Sequence, residues 1–299
     1  MITPTMYTSV IIPVYNDPVG IRNTLQSLTN QTYSTSAYEI IVIDNGSTDG
    51  TRTVIQEFSN EFCYISLVIE AELQGSYAAR NTGIQASSGE ILVFIDADMT
   101  VDDNWLSKLN SKMEQNDIYY LACNVEQYIP DGKETRIALY DRVTGFPVER
   151  YVKDQQYSPT CCLCVRHSIF DKIGFFDPRL RSGGDLEFGN RAAAVGINLH
   201  FAPEITVYHP TRTTLRSLLS KELRVGGGIC RKQRYYPTRY GSPGIPPRPS
   251  GVKSPDKENI NIANADQFSM KFLEYLTMAT RGIGYYTEFA SGTLDRWRS

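Results

Sequence analysis

The chain has no long apolar run. No stretch reaches the roughly 18 consecutive apolar residues that a membrane-spanning helix needs, and residues 1–9 lack the basic start and apolar run of a signal peptide. These absences predict a cytoplasmic protein, soluble or peripheral at the inner face of the membrane.

A strong excess of charge is also missing. Lys and Arg number 30 and Asp and Glu 33, for a formal net charge of −3, which excludes general nucleic-acid binding. Residues 212–239 nevertheless hold eight basic residues against one acid, Glu222. This stretch predicts peripheral contact with an anionic membrane or with phosphates; a merely solvated basic face is the alternative.

The six cysteines show no metal-binding spacing. Cys161, Cys162 and Cys164 lie in one apolar run, and the other three are scattered. Because disulfides are uncommon in the cytosol, we expect reduced, buried thiols without a ligand or nucleophile role.

Strands alternate with helices over the first hundred residues. β-rich apolar runs cover residues 10–14, 39–43, 65–69 and 90–95, and segments with helical spacing lie between them. This order predicts an α/β fold with a doubly wound, mostly parallel sheet. Ligands bind beyond the carboxyl ends of such strands, so Asp44 and the pair Asp96 and Asp98 should share one rim.

The chain changes character after residue 225. Gly226, Gly227 and Gly228 precede a segment rich in Pro, Gly and Ser at residues 240–255, which predicts a linker or an active-site loop. Residues 266–289 return to helical spacing, and their apolar stripe predicts an amphipathic helix packed on the main domain; a membrane anchor is the alternative. The stripe comprises Phe268, Phe272, Tyr275, Leu276, Ala279, Ile283 and Tyr286.

We therefore divide the chain into a catalytic domain at 1–225 and a loop with a helical C-terminal extension at 226–299. Within the first part, residues 130–159 show weak periodicity. We expect them to form a loop-rich segment on the acceptor side.

Asp96-Ala97-Asp98 is the strongest single chemical feature. Two carboxylates one residue apart, at the end of the buried run 91–95, can hold a divalent cation and the diphosphate oxygens that it bridges. The alternative is a pair of turn acids that cap the next helix.

Further motifs accompany this pair in a fixed order. They are Ser9-Val10-Ile11-Ile12-Pro13-Val14-Tyr15-Asn16, Ile41-Val42-Ile43-Asp44-Asn45-Gly46-Ser47, Ala79-Arg80-Asn81-Thr82-Gly83, Phe94-Ile95-Asp96-Ala97-Asp98, Gly183-Gly184-Asp185-Leu186-Glu187 and Val207-Tyr208-His209. Together they resemble family 2 of the glycosyltransferases, which have the GT-A fold, over about residues 7–210.

The resemblance implies a site for a nucleoside-diphosphate sugar, with a uridine nucleotide favoured. The residues that it places against this donor are Pro13, Tyr15, Asp17, Asp44, Arg80, Asp96 and Ala97. From the residues alone, Asp44 can equally be a turn residue in Asp44-Asn45-Gly46. Arg80 can equally be a charge on a helix surface.

The resemblance also implies a divalent cation, Mn²⁺ or Mg²⁺. Asp98 would be its direct ligand, Asp96 would lie toward the ribose and the metal's waters, and His209 would complete the site. A purely structural role for His209 remains open.

An inverting enzyme of this family uses an aspartate as the general base, and Asp185 occupies that position. The sequence departs from the family at Gly184, where Glu is usual. Glu187 could compensate for it or be the base itself, and the alternative is that both acids only stabilise the first helical turn.

The sequence thus predicts a metal-dependent, inverting glycosyltransferase of the hexosyltransferase type, with an unidentified glycan, lipid-linked or small-molecule hydroxyl as the acceptor. A nicotinamide dehydrogenase is excluded because no G-x-G-x-x-G follows the first strand. A nucleotidyltransferase would need a glycine-rich basic loop, which is absent. The departure at Gly184 leaves one alternative, a catalytically weak protein that binds nucleotide sugars or glycans.

Overall fold

A computed structural model describes residues 6–115, 118–247 and 264–296. Residues 248–255 of the predicted loop lie outside the described residues.

The described residues contain one sheet of eight strands in the order β3-β2-β1-β4-β7-β6-β8-β5. The strands are β1 (Thr8–Val14), β2 (Tyr38–Asp44), β3 (Ile65–Ile69), β4 (Ile91–Phe94), β5 (Thr100–Val101), β6 (Tyr120–Tyr128), β7 (Leu163–Arg166) and β8 (Leu199–Pro210).

The helices that accompany the sheet follow most strands. They are α1 (Pro18–Thr29), α2 (Thr51–Glu61), α3 (Ser76–Ala86), α4 (Trp105–Met113), α5 (Arg136–Thr144), α6 (Val148–Gln155), α7 (Ile169–Ile173), α8 (Gly184–Ala194), α9 (Leu215–Tyr235), α10 (Pro237–Tyr240) and α11 (Asn264–Arg296). The predicted α/β fold class is confirmed.

Strands β1 to β4 form the parallel part of the sheet. β1 pairs in parallel with both β2 and β4, and β2 pairs with β3. Val10, Ile11 and Ile12 are fully buried, because helices cover both faces of such a sheet and its central strands read as continuous apolar runs.

The rest of the sheet is antiparallel, so the sheet is mixed where we expected it to be mostly parallel. β7 runs antiparallel to β4 and β6, and β5 runs antiparallel to β8. We expected a mostly parallel sheet because strands alternate with helices over the first hundred residues. This alternation does not fix the direction of the strands that follow.

The chain forms two compact units. The first comprises the described residues within Met1–Glu126, Val148–Pro178 and Gly184–His209. The second comprises those within Gln127–Pro147, Arg179–Gly183 and Pro210–Ser299. The units interleave along the chain, and the division at 225/226 stays a prediction for the functional domains.

The expectation of a loop-rich segment at residues 130–159 was wrong for most of it, because α5 and α6 lie there. Thr135 caps α5 by accepting a hydrogen bond from the backbone N–H of Ala138. Asp141 of α5 is fully buried, and its carboxylate accepts hydrogen bonds from the Arg212 backbone and guanidinium and from the Lys221 ammonium. A buried ion cluster therefore fixes α5 within the second unit.

The linker or loop predicted from Gly226 onward was wrong for its first part, because α9 continues without interruption to Tyr235 and α10 follows it. At Gly226 an added Cβ would collide with the carbonyl oxygen of Arg281 on α11, and at Gly284 it would collide with the carbonyl oxygen of Leu223 on α9. The glycines are thus where the two helix backbones approach most closely, which only residues without a Cβ permit.

Gly226→Ala is expected to lower the free energy of unfolding by about 1–3 kcal/mol, because the added methyl group forces α9 and α11 apart. Gly227→Ala is the matched control, since its Cβ would meet nothing closer than 3.7 Å. It should stabilise the helix by about 0.5–1 kcal/mol. Urea unfolding of both variants measures the difference, and equal effects would contradict the close approach.

The predicted C-terminal helix is present as α11, but the face expected to pack is wrong. Phe268, Phe272 and Tyr275 are exposed, whereas Leu273 and Tyr285 are buried. α11 packs on α9 through the opposite side, because the glycine contact sets which side can approach. No helix in the described residues is long and apolar enough to cross a membrane.

Four of the eight basic residues at 212–239 form ion pairs with acids. Lys221 and Arg212 contact Asp141, and Arg231 and Arg234 contact Glu288. The membrane contact predicted for this stretch stays a prediction, and these ion pairs do not favour it.

Candidate active site

The sheet register brings the ends of β1, β2 and β4 to one edge. Val14, the last residue of β1, is opposite Asp44, the last residue of β2, and Ile11 is opposite Phe94 at the end of β4. Asp96 and Asp98 follow directly, so the acids emerge at the carboxyl edge of the parallel strands.

The loop after β1 contributes one exposed ring and one cap. Tyr15 is exposed, and Pro13 is half-buried within β1. Asp17 accepts a hydrogen bond from the backbone N–H of Gly20 at 2.8 Å and thereby caps α1. Asp17 thus has a structural role at this rim.

Asp44 is held by its own turn and by an arginine. Its fully buried carboxylate accepts a hydrogen bond from the Ser47 backbone N–H at 3.1 Å and one from Arg52 Nε at 2.5 Å. The Arg52 side chain remains 41% exposed, so a cationic group lies beside Asp44 at the surface.

Arg80 lies under the rim and pairs with Asp96. Its guanidinium is buried and contacts Asp96 Oδ1 at 2.5 Å through one Nη atom. Its Nε is buried and has no hydrogen-bond partner among the described residues. Ala97 between the two acids is buried, and its carbonyl oxygen accepts a hydrogen bond from Thr24 at 2.8 Å.

Asp98 lies next to His209 because β5 and β8 pair. Thr100 is opposite Tyr208 in that pairing, which places His209 Nε2 3.9 Å from Asp98 Oδ2. Burial raises the pKa of Asp98; His209 opposes this shift, whereas Asp96 and Asp17 add to it. The negative charges of Asp96 and Asp17 thus act on Asp98, and a cation at Asp98 would offset them.

Asp98 and His209 fit a cation that takes its other ligands from a bound phosphate group and from water. Among the described residues, no group of three or more His, Cys, Asp or Glu side chains is arranged to hold a metal ion. Asp98 and His209 offer two atoms that can bind a metal ion, one oxygen and one nitrogen. Mg²⁺-type sites commonly use one or two carboxylates and take their other ligands from phosphates and water, and imidazole also suits transition metals.

Asp185 lies in the first turn of α8, and Tyr77 of α3 packs against the N-terminal end of this helix. The Tyr77 hydroxyl accepts hydrogen bonds from the backbone N–H groups of Gly184 at 2.9 Å and Asp185 at 3.3 Å. It also lies 3.4 Å from Asp185 Oδ1. On its other side the Tyr77 ring lies 5.7 Å from the guanidinium of Arg80, which links Asp185 to the Arg80–Asp96 pair.

A family model described as "Glycosyl transferase family 2" matches residues 9–174, which is more than half of the chain. The chain belongs to glycosyltransferase family 2. It is 40% identical over 222 residues to "Glycosyltransferase AglE" of Haloferax volcanii, and the aligned part covers 74% of this chain and 72% of that one. This glycosyltransferase therefore has the family assignment that its motifs predicted.

Solved structures confirm the GT-A-type fold. The mannosyltransferase PcManGT of Pyrobaculum calidifontis, in complex with GDP-Man and Mn²⁺, aligns with a TM-score of 0.61 and 17% identity over 96% of this chain and 76% of that one. TarS 1-349 of S. aureus, in complex with UDP-GlcNAc, aligns with a TM-score of 0.56 and 17% identity over 78% of this chain and 74% of that one.

Glu187 of the glycosyltransferase lies two residues after Asp185 but in different surroundings. It is 1% exposed, and both of its oxygens accept hydrogen bonds from Arg191 Nε, at 2.8 and 3.0 Å. Arg191 also donates to the carbonyl oxygens of Ile173 and Phe175. The structure thus places Glu187 in an ion pair that fastens α8 to the segment after α7.

Two residues of this rim escaped prediction from the sequence. Arg52 follows Asp44 after a turn, and Tyr77 precedes Arg80 by three positions in α3. An i, i+3 pair shares a helix face, so the predicted role of Arg80 was the signal that Tyr77 points to the same place. Arg191, which is not one of these two rim residues, also escaped prediction. Its i, i+4 spacing from Glu187 was the signal that the two residues pair.

Proposed function

We propose that this family 2 glycosyltransferase is a metal-dependent, inverting enzyme, with a nucleoside-diphosphate sugar as donor and a hydroxyl group as acceptor. Asp185 is its general base, and Asp98 and His209 hold the cation. The observation that carries the proposal is the 3.9 Å approach of Asp98 and His209 at the rim where Arg80 pairs with Asp96.

The donor would bind along the carboxyl edge of β1, β2 and β4. Tyr15 offers an exposed aromatic ring for a base, and the partly exposed Arg52, held by the buried Asp44, offers hydrogen-bond donors. Arg80 brings positive charge beneath the diphosphate, and its unpaired Nε is a donor that a ligand can satisfy. Pro13 and Ala97 shape this edge through the backbone.

A divalent cation at this rim would stabilise the negative charge that develops on the departing diphosphate. Asp98 and His209 would hold it, with Asp96 oriented by Arg80 toward its waters and the ribose. The negative charges of Asp96 and Asp17, which act on Asp98, support this assignment. Mn²⁺ is favoured by the imidazole ligand.

The base acts on the acceptor. The acceptor's hydroxyl oxygen attacks the anomeric carbon of the donor sugar, and the bond from that carbon to the diphosphate breaks on the opposite face. The hydroxyl proton passes to Asp185. Asp185 suits this role better than Glu187, because the Arg191 ion pair occupies both Glu187 oxygens. No covalent enzyme intermediate is required.

A uridine nucleotide remains the favoured donor, and a guanosine nucleotide is the main competitor. The structural neighbours support both, since one is a complex with UDP-GlcNAc and another with GDP-Man and Mn²⁺. A thermal-shift panel of UDP-, GDP- and dTDP-sugars with MnCl₂ identifies the donor, because ligands that bind the folded state raise its melting temperature.

Asp98→Ala is expected to weaken Mn²⁺-dependent binding of the nucleoside diphosphate from that panel by at least about tenfold, because a direct ligand is lost. Isothermal titration calorimetry with MnCl₂ and with EDTA measures the effect. The control is Asp103→Ala, an exposed carboxylate further along the same chain segment. Equal affinity of Asp98→Ala and wild type in the presence of Mn²⁺ would refute the metal site.

A further inference from the structure

The exposed face of α11 carries a regular apolar stripe, which we call the α11 stripe. Its members are Phe268, Phe272, Tyr275, Ala279, Ile283, Tyr286 and Ala290, all exposed. The spacings along the chain are 4, 3, 4, 4, 3 and 4, an 11-residue repeat close to the natural period of an α-helix. The stripe therefore runs straight along the helix instead of winding around it.

These spacings read the same in both directions from Ala279. An antiparallel copy centred there brings Phe268 opposite Ala290, Tyr275 opposite Ile283, and Ala279 opposite itself. Phe272 meets Tyr286, an aromatic pair. Apolar side chains thus face apolar side chains along the whole stripe, and one of its two smallest residues, Ala279, lies at the crossing point, where two helices must approach closely.

The surface available is large enough for a specific dimer. Phe268, Phe272, Tyr275 and Tyr286 are 78%, 58%, 71% and 50% exposed, which leaves about 500 Å² of aromatic side chain accessible on each chain. These rings set an upper limit of about 1,000 Å² for the area that two copies would bury through them, which reaches the size from which a specific interface is recognised.

Charge favours a second copy over a lipid surface. The stripe contains no charged residue. Elsewhere on α11, Arg281 and Glu288 are paired with Glu222 and with Arg231 and Arg234, and the exposed Lys271 is accompanied by one exposed acid, Glu274. Helices that lie on membranes combine such a stripe with basic residues on the polar face. We propose that the α11 stripe is a dimerisation surface, on which a second copy of this chain packs antiparallel about Ala279.

Analytical ultracentrifugation of the full chain tests this surface. Wild type is expected at twice the mass of the chain, and Ala279→Glu at the monomer mass, because two carboxylates would meet at the crossing point. Met278→Glu is the matched control, an exposed apolar position off the stripe, and should remain dimeric. A monomeric wild type across a micromolar concentration series would overturn the proposal.

Two further outcomes decide the partner and the geometry. In a Cys63→Ser background, Ala279→Cys should form a disulfide between chains, whereas Phe272→Cys should not, since its partner is Tyr286. Self-crosslinking by Phe272→Cys would overturn the antiparallel geometry. Binding of a monomeric wild type to phosphatidylglycerol vesicles, lost in Ala279→Glu, would overturn the dimer in favour of a membrane surface.

A separate observation concerns Gly184, the position where the family usually has Glu. A Cβ there would lie 2.7 Å from the Tyr77 ring, closer than any side chain tolerates. The Tyr77 hydroxyl uses that space to accept hydrogen bonds from the N–H groups of Gly184 and Asp185, because the first N–H groups of a helix find no partner within the helix itself. Gly184 is therefore the condition for Tyr77 to reach the helix end.

The hydroxyl has one proton left, and the Asp185 carboxylate at 3.4 Å is placed to accept it. Burial and the Asp185 charge both raise the pKa of Tyr77, so the phenol keeps this proton. Tyr120 and Tyr157 face the same carboxylate, and their pKa values are raised by burial and by its charge. We infer that Tyr77 is a positioning residue for Asp185; this inference rests on the proposed function for the role of Asp185.

Tyr77→Phe keeps the ring and removes the hydroxyl. Nucleoside diphosphate release from the donor selected by thermal shift should fall about tenfold in kcat, with the acid limb of the pH profile moved to higher pH because the carboxylate loses a donor. In an Asp185→Asn background the same change should have almost no effect, since both residues act as one unit. Equal losses in both backgrounds would overturn the role.

One readout does not depend on activity. The side-chain carboxyl of Asp185, followed by ¹³C NMR in aspartate-labelled protein, should titrate about one pH unit higher in Tyr77→Phe than in wild type. An unmoved titration would overturn the positioning role whatever reaction the enzyme performs. A moved titration in a protein that releases no nucleotide would refute the proposed function alone.

Discussion

Asp185→Asn is expected to lower kcat by about 10² to 10⁴, the contribution of a positioned general base. The amide cannot take the proton of the acceptor hydroxyl, yet it keeps the size of the carboxylate and its hydrogen bond with the Leu186 backbone N–H. Affinity for the donor nucleotide should therefore be unchanged. Steady-state release of nucleoside diphosphate, paired with calorimetric binding of the same nucleotide, separates the two quantities.

The matched control is Asp171→Asn, an exposed carboxylate on α7, which should retain wild-type kcat. Glu187→Gln provides a second comparison. It should reduce stability through the loss of the Arg191 pair and leave the pH dependence of kcat in place. A larger kcat loss in folded Glu187→Gln than in Asp185→Asn would transfer the base role to Glu187.

Asp141→Asn is expected to lower the free energy of unfolding by about 3 kcal/mol, because it leaves Lys221 and Arg212 without their anionic partner. This loss of stability is at the lower end of the range for broken buried ion pairs, because the side chains of Lys221 and Arg212 are 25% and 23% exposed. Urea unfolding at pH 7 measures it. The control is Asp154→Asn, whose exposed i, i+4 pair with Arg150 should contribute about 0.3–0.5 kcal/mol.

The same variant has a defined pH dependence. Burial raises the pKa of Asp141, but Lys221 and Arg212 lower it by more, so its folded pKa lies below the usual value. Such a carboxyl stabilises the fold above its unfolded pKa of about 3.9 and loses this contribution as the pH falls through the folded pKa. The stability gap to Asp141→Asn should be full at pH 7 and shrink below about pH 4; a constant gap would contradict the ion cluster.

The sequence predicted the parallel half of the sheet and the rim of acids, because both follow from local patterns. A buried strand is a continuous apolar run. Asp44, Asp96 and Asp98 stand at the ends of two such runs, so they must emerge at the same edge of the sheet once the strands are parallel. The family motifs then gave Arg80 and Asp185 roles that no local pattern supplies.

What escaped prediction depends on contacts between distant segments. Helical periodicity identified α11 but not which side of it packs, because an apolar stripe looks the same whether it meets α9 or solvent. The glycines at 226 and 228 resembled a linker because their close approach to α11 and to Ser182 cannot be read from the chain. Likewise, Asp141 lay in a segment without periodicity, and only the fold brings Lys221 to it.

The pairing of β5 with β8 has a consequence for biosynthesis. Asp44, Arg80 and Asp96 all belong to the first third of the chain and can assemble on β1, β2 and β4 as soon as these have left the ribosome. His209 is delivered only by β8, so its approach to Asp98 requires a contact of large sequence separation, which forms late. A nascent chain halted before residue 209 would therefore hold Asp44, Arg80 and Asp96 at the rim without the second residue of the proposed cation site.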